Sequence, residues 1–295
     1  MDRTTPAEES LSSKTSGINP KQWRALAPPL GLLAALVLAS SVSARTSYTG
    51  YPNSIAVLGH SGATGYDSDP KQPGTDINAN SWATGTNPAV NSVYRRILAR
   101  NPRIKGHNLN LAQDGGTVRE LLGQAQEVVR LKAKPEVILI QIMDNDIVCP
   151  AKKSDLEAFR RGVAAAVQVL VHGAPASSMF LVSQFGSPTT QAKLFTRDER
   201  LGQTGDGPCD IFAPSGRIAP KPLARLESTI HGYEAQLAAA CKAFSKCRYD
   251  GGAFGRVVDR RAYLSSDLNH FSIRGHAKAA AVAWRALKRA NLIPH

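Results

Sequence analysis

Aromatic residues make up only 6% of the 295-residue chain, too few for a stacking platform spread along single-stranded nucleic acid. Charged residues are 20%, too sparse for a disordered polyelectrolyte, and an apolar share of 42% is ordinary for a folded chain. No apolar run approaches the roughly 20 residues needed to span a bilayer. Signatures are missing as well. After Val57-Leu58-Gly59 the chain has no Gly-Lys-Ser/Thr, so a P-loop is excluded. The dinucleotide pattern G-x-G-x-x-G fails because position 61 is Ser, and the nucleophile elbow G-x-S-x-G fails because position 63 is Ala. No C-x-x-C pair exists, which argues against a zinc site. Acidic residues are also short, 23 Asp and Glu against 36 Lys and Arg, leaving a net charge of +13 that keeps an anionic partner in play. The basic residues are scattered over several helical segments rather than gathered in one stripe, which argues against nucleic acid.

Residues 1–29 are polar, carry Lys21 and Arg24 late, and run into the apolar stretch Leu30–Ala39, followed by the small-residue segment 40–44. A positive flank, a short apolar run and Ala44 before the cut are the parts of a secretory signal peptide, so residues 1–44 are predicted to be removed on export. An uncleaved membrane anchor is the alternative, and there is no twin-arginine pair. Residues 1–44 hold Arg3, Lys14, Lys21 and Arg24 against Asp2, Glu8 and Glu9, so their loss leaves the positive excess almost untouched. The four cysteines, Cys149, Cys209, Cys241 and Cys247, lie beyond that segment, and an even count in an exported chain predicts two disulfides. Of the three possible connectivities the expected one is Cys241–Cys247 as a local clasp and Cys149–Cys209 as a tie on a long loop; free buried thiols are the alternative.

From residue 53 onward, short β-branched runs alternate with longer stretches of helical period, the pattern of an open α/β sheet. Strands are expected near 55–59, 107–111, 136–142 and 178–183, with a weaker fifth at 247–250 or 256–259. Helices are expected over 87–100, 117–132, 155–171, 222–244 and 272–290, their apolar stripes serving as core. The segment 185–221 is dense in Gly, Pro, Thr and charge and is far longer than a usual connection, which marks it as a functional loop. Without residues 1–44 the length fits one α/β domain, 45–295.

Four places carry candidate chemistry. Ser61, after the first strand and before Gly62, has its hydroxyl at the carboxyl edge of the sheet, where open α/β folds place their sites. On these residues alone it is either a nucleophile or part of a plain Gly-rich turn. Near the end of the chain Asp267 and His270 are three apart, so on one helical turn a carboxylate can orient an imidazole. A surface pair flanking a helix start is the bland reading, and His276 reads as an ordinary helix residue. Between them, Asn110–Thr117 is a Gly turn opening a helix, with free N–H groups suited to a developing negative charge. Asn145 stands at another strand end and can donate a side-chain N–H. Asp144 and Asp146 flank it, but acids two apart on a strand end point to opposite faces, which disfavours a metal.

These blocks together, in this order, resemble the SGNH (GDSL-type) hydrolase superfamily, especially its secreted bacterial members. The likeness runs from residue 53 to about 290: Gly59-His60-Ser61, Asn110-x-Ala112-x-x-Gly115-x-Thr117, Asn145, and Asp267-x-x-His270. It implies a flavodoxin-like three-layer sandwich of about five parallel strands between helices. It further implies Ser61 as nucleophile, His270 as base, Asp267 as its orienting acid, and an oxyanion hole of the Ser61 and Gly115 N–H groups with the Asn145 side chain. Two departures stand out. His60 occupies the place of the family's usual Asp, and Asp144 precedes Asn145 where a Gly is common.

The expected activity is hydrolysis of carboxylic esters, with a small-molecule or lipid ester as substrate, by a secreted monomer that needs no metal or organic cofactor. Segments 66–84, with Trp82, and 185–221 are expected to shape the pocket, although Trp82 could equally be a structural plug. A catalytically impaired binding protein for anionic polymers or lipid head groups is the alternative.

Overall fold

Near-continuous apolar runs make strands that are buried on both faces, which requires helices above and below the sheet. In the computed structural model, which describes residues 50–132 and 134–295, this is the architecture found. The expected signal peptide, residues 1–44, lies outside the described residues.

The chain runs β1 (Ile55–Gly59), the single turn α1 (Ser61–Thr64), α2 (Val93–Leu98), β2 (Asn108–Asn110), α3 (Val118–Arg130), β3 (Val137–Gln141) and α4 (Lys153–Gly173). It continues through β4 (Ser178–Leu181), α5 (Pro188–Ala192), α6 (Arg197–Gly202), α7 (Pro220–Lys242), β5 (Cys247–Tyr249) and α8 (Ile273–Arg289). The five strands are all parallel in the order β2-β1-β3-β4-β5, with Ile55 opposite Asn108 on one side and Val137 on the other. Alternation along each strand divides the core in two. Ile55, Val57, Val137, Leu139 and Phe180 face one cluster with α2 and α8; Ala56, Leu58, Ile138, Ile140 and Met179 face the other with α3, α4 and α7. In this strand order the chain reverses direction across the sheet at β1 and β3, and open α/β folds bind ligands at the carboxyl ends of such a switch point.

Local signals explain the helix starts. Thr117 and Glu120 form a reciprocal capping box on α3, and the Ser272 hydroxyl accepts the Gly275 N–H to cap α8. The helix expected over 87–100 is shorter than its stripe. Asn91 sits at φ +48° and Ser92 caps the turn behind it, so α2 begins only at Val93. The weak fifth strand is Cys247–Tyr249; residues 256–259 form no strand. The long connection 185–221 is also more ordered than its composition suggested. It carries α5 and α6, closes with an antiparallel bridge from Phe212 to Ile218, and its last residues already belong to α7. Ala192, Phe195 and Phe212 form a small core of its own, against which Leu264 and Leu268 pack.

The cysteines pair as Cys149–Cys209, tying the loop after β3 to this insertion, and Cys241–Cys247, closing the end of α7 onto β5; each pair has Cα atoms 5.2 Å apart. Among the described residues no helix is long and apolar enough to cross a membrane.

Candidate active site

The end of β1 is shaped by close backbone approach. Gly59 has φ +134°, and a Cβ there would lie 1.7 Å from the Gln141 carbonyl oxygen, so only glycine fits. Gln124 of α3 pins it from below, accepting the Gly59 N–H at 2.6 Å and donating to its carbonyl at 2.9 Å. Gln141 in turn accepts the Trp82 indole N–H at 2.6 Å. Trp82 is fully buried and packs edge-on to Phe254, so of the two expected roles it takes that of the plug.

His60 follows as the cap of α1, its Nδ1 accepting the Gly62 N–H at 3.0 Å. Burial pushes this imidazole's pKa down against the opposing charges of Asp144 and Asp114, so it is neutral. A neutral acceptor thus does the capping work that a carboxylate could do at the same place.

The next residue, Ser61, is 6% exposed. Its Oγ lies 2.9 Å from His270 Nε2, across 209 positions of chain. His270 Nδ1 lies 2.6 Å from Asp267 Oδ2. The other carboxylate oxygen, Oδ1, accepts the Ser265 hydroxyl at 2.6 Å and the backbone N–H groups of Asn269 and His270 at 2.9 Å each. With a proton on Nδ1 directed at Asp267, Nε2 is left to accept the Ser61 O–H. Burial alone would raise the Asp267 pKa, but the four hydrogen bonds outweigh it and hold the carboxyl far below the usual range. For His270, burial works to lower the pKa, yet the bond to Asp267 and the charges of Asp267, Asp144 and Asp114 raise it on balance. The Tyr66 ring stands 4.7 Å from the imidazole and covers one side of it.

The solved structure of TesA aligns over 80% of this chain and 99% of its own, with a TM-score of 0.50 and 13% identity. The chain has the fold of TesA. Less similar are LAE5, an alpha/beta hydrolase enzyme from the metagenome of Lake Arreo, Spain, at 0.47 and 19% over 84% of this chain and 99% of that one, and Axe2, an acetylxylan esterase from Geobacillus stearothermophilus, at 0.46 and 17% over 82% and 95%. No family model matches the sequence, and no curated protein matches it.

On the fold shared with TesA, the loops after β2 and β3 flank the Ser61 turn and are stitched to one another. Asn145 Nδ2 donates to the Gly116 carbonyl at 3.0 Å, and the Val118 N–H donates to Asp146 Oδ1 at 3.1 Å. Gly115 is exposed at φ +68°, while Gly116 is buried beneath Gly59, whose carbonyl oxygen would lie 2.8 Å from an added Cβ. Asn110 Nδ2 donates to the Ala63 carbonyl and to Asn78, joining β2 to the end of α1. Asp144 and Asp146 have separate engagements, Asp144 with the Gln184 amide at 2.7 Å and Asp146 with Val118. Burial lifts the Asp146 pKa to about 6, against the Val118 hydrogen bond, and its Oδ2 is buried without a partner.

Sequence reading missed Asp67. This buried carboxylate, at φ +50°, accepts the Ser266 hydroxyl at 3.1 Å and the Asp267 N–H at 3.3 Å through Oδ2, and the Gly74 N–H at 2.8 Å through Oδ1. Nothing local marks it, because its partners lie 199 and 200 positions away. From the other side the Gln191 amide donates to the Leu268 carbonyl at 3.2 Å. The turn that carries Asp267 and His270 is therefore held by the segment after α1 and by the insertion between β4 and α7.

Proposed function

We propose that the protein is a secreted serine hydrolase of the SGNH type that cleaves carboxylic esters through an acyl-enzyme. The observation that carries this reading is the hydrogen-bonded line Ser61 Oγ to His270 Nε2 to Asp267, at 2.9 and 2.6 Å, at the carboxyl end of β1. Nucleophile, base and orienting group within hydrogen-bond reach form the arrangement that acyl transfer requires.

Ser61 Oγ attacks the ester carbonyl carbon while its proton passes to His270 Nε2. The tetrahedral intermediate collapses as His270 returns that proton to the leaving alkoxide, releasing the alcohol. A water then gives its proton to His270 and attacks the acyl carbon, and the returning proton regenerates Ser61 with release of the acid. Asp267 holds the tautomer and balances the imidazolium. The Ser61 N–H, first of its turn and so without an intrahelical acceptor, is one oxyanion donor in this reading. The Gly115 N–H and the second Nδ2 hydrogen of Asn145 are the others, carried on loops locked to each other through Gly116 and Asp146.

Export is proposed from the leader at 1–44, with 45–295 as one catalytic domain; the two cysteine pairs fit an oxidising compartment. The test is a panel of p-nitrophenyl esters from acetate to palmitate with wild type, Ser61→Ala and Asn145→Ala, beside labelling with a fluorophosphonate. Ser61→Ala is expected to be inactive and unlabelled, and Asn145→Ala to lose on the order of 10²–10³ in rate. Equal turnover by wild type and Ser61→Ala would end the reading, and an unlabelled wild type would favour a binding protein instead.

A further inference from the structure

The positive charge, spread along the sequence, is locally concentrated in the fold. A groove of about 460 Å³ is lined by Arg256 and Arg260 on one wall and Lys278, Arg285 and Arg289 on the other, with Ala253, Val257 and Val282 also lining it. None of Ser61, Asp267 and His270 lines it. Residues 256–260 alternate as an extended segment does: Arg256, Val258 and Arg260 are exposed, while Val257 and Asp259 are buried. Asp259, the one acid among them, is turned inward onto the Ser187 N–H and the Thr190 hydroxyl and so does not neutralise the groove. On α8 the spacing 278, 282, 285, 289 lays three cations and Val282 along one face. Among the described residues none of the five cations is paired with a carboxylate. Arg289 in the last turn of α8 also complements the helix dipole, but that account does not reach Lys278 or Arg285 farther from the end.

We propose that this groove binds a linear polyanion bearing phosphate groups. Its two walls select the chemistry. A tetrahedral phosphate presents oxygens in several directions and can be gripped from both walls, whereas the acceptor sites of a carboxylate lie in one plane, which suits a flat guanidinium better than two opposed walls. Its length selects a chain. From Lys278 to Arg289 the helix rises roughly 16 Å, longer than one anion. Arg96 of α2 and Arg100 just beyond its end add to the same field, the Arg96 pKa being lowered first by burial and then by the charges of Arg100 and Arg285. Along the chain the groove's wall at Arg260 and Tyr263 continues into the 265–270 turn, which itself does not line the groove.

The experiment titrates the full chain with inorganic polyphosphate at several salt concentrations, with polyglutamate and phosphatidylglycerol vesicles as parallel arms. Arg285→Ala/Arg289→Ala and, separately, Arg256→Ala/Arg260→Ala are expected to weaken polyphosphate binding at least tenfold and to flatten the salt dependence by about one unit of slope per lost contact. Arg161→Ala/Lys242→Ala, which removes equal charge from exposed sites on α4 and α7, is expected to change affinity less than twofold. Equal losses in the groove and control variants would overturn the proposal, as would tighter binding to polyglutamate or to vesicles than to polyphosphate. Ser61→Ala is expected to bind polyphosphate as wild type does, so failure here and failure of the esterase reading are separate results.

Discussion

The Asp67 carboxylate accepts the backbone N–H of Asp267 from 200 positions away, at 3.3 Å, so one acid fixes the turn that presents another. Asp67 touches neither Ser61 nor the imidazole ring in any hydrogen bond, which makes it a positioning residue. Its effect must therefore pass through the 265–270 turn.

Asp67→Ala is expected to lower kcat by about 10–100-fold with KM little changed, because misplacing the base by even 1 Å costs on that scale. Asp67→Asn keeps one acceptor oxygen and tolerates φ +50°, so it should recover much of the loss. Steady-state kinetics with a p-nitrophenyl ester reads both. A role confined to folding would lower the melting temperature of both variants and leave the kcat of the folded fraction intact.

The pH profile follows from the direction of the His270 shift. As the base, His270 works only when neutral, so kcat/KM should climb along a single limb with its midpoint above the roughly 6.5 of a free imidazole. Asp267→Asn removes the bond and charge that raise this pKa, so the limb should move to lower pH. The rate should fall by on the order of 10⁴ as the tautomer is lost. A wild-type limb with its midpoint below 6.5 would contradict the electrostatics of the site.

Met143 is buried at φ +154°, in a region favouring glycine, just where β3 gives way to the Asn145 loop. Truncation to either Ala or Gly removes everything buried beyond Cβ and should cost about 2–5 kcal/mol. Only Gly also relieves the backbone, by about 1–3 kcal/mol. Met143→Gly should therefore be more stable than Met143→Ala in urea unfolding, reversing the ordinary order of these residues. An Ala variant at least as stable would show that the backbone there is unstrained.

His276 is wholly buried on α8, edge-on to Phe271, with Nδ1 lacking a partner, and burial followed by the His270 charge lowers its pKa to about 3. The unfolded chain takes up this proton near pH 6.5, and the folded chain only near 3. Stability conferred by the neutral ring is thus present above pH 6.5 and lost as pH falls toward 3. At pH 4.5 the loss amounts to roughly 2–3 kcal/mol. Unfolding measured at pH 7 and pH 4.5 should show this penalty in wild type, with His276→Phe reduced by about that amount.

Periodicity and composition were sufficient for β1, β3 and β4, whose residues are apolar on both faces, and for α3, α4, α7 and α8, whose stripes are long. The stripe before α2 misled because Asn91 adopts a left-handed conformation that no hydrophobic pattern reports. Ser61, Asp267 and His270 could be singled out as candidates because each stands in a short motif at an element boundary, and the two cysteine pairs could be expected from the even count and the spacing. Trp82 could not be assigned to pocket or core, since its partner Gln141 lies 59 positions away.

By itself, then, the sequence determined the layered α/β architecture and marked Ser61, Asp267 and His270 as candidates for acyl-transfer chemistry, because hydrophobic periodicity and short motifs are both properties of neighbours in the chain. Tertiary structure alone decided how the Asp267–His270 turn is braced by Asp67 and the insertion, that His60 is a neutral cap, and that cations scattered along 256–289 line one groove. Those are relations between distant segments, created when the strands stack side by side and bring their carboxyl ends to one edge.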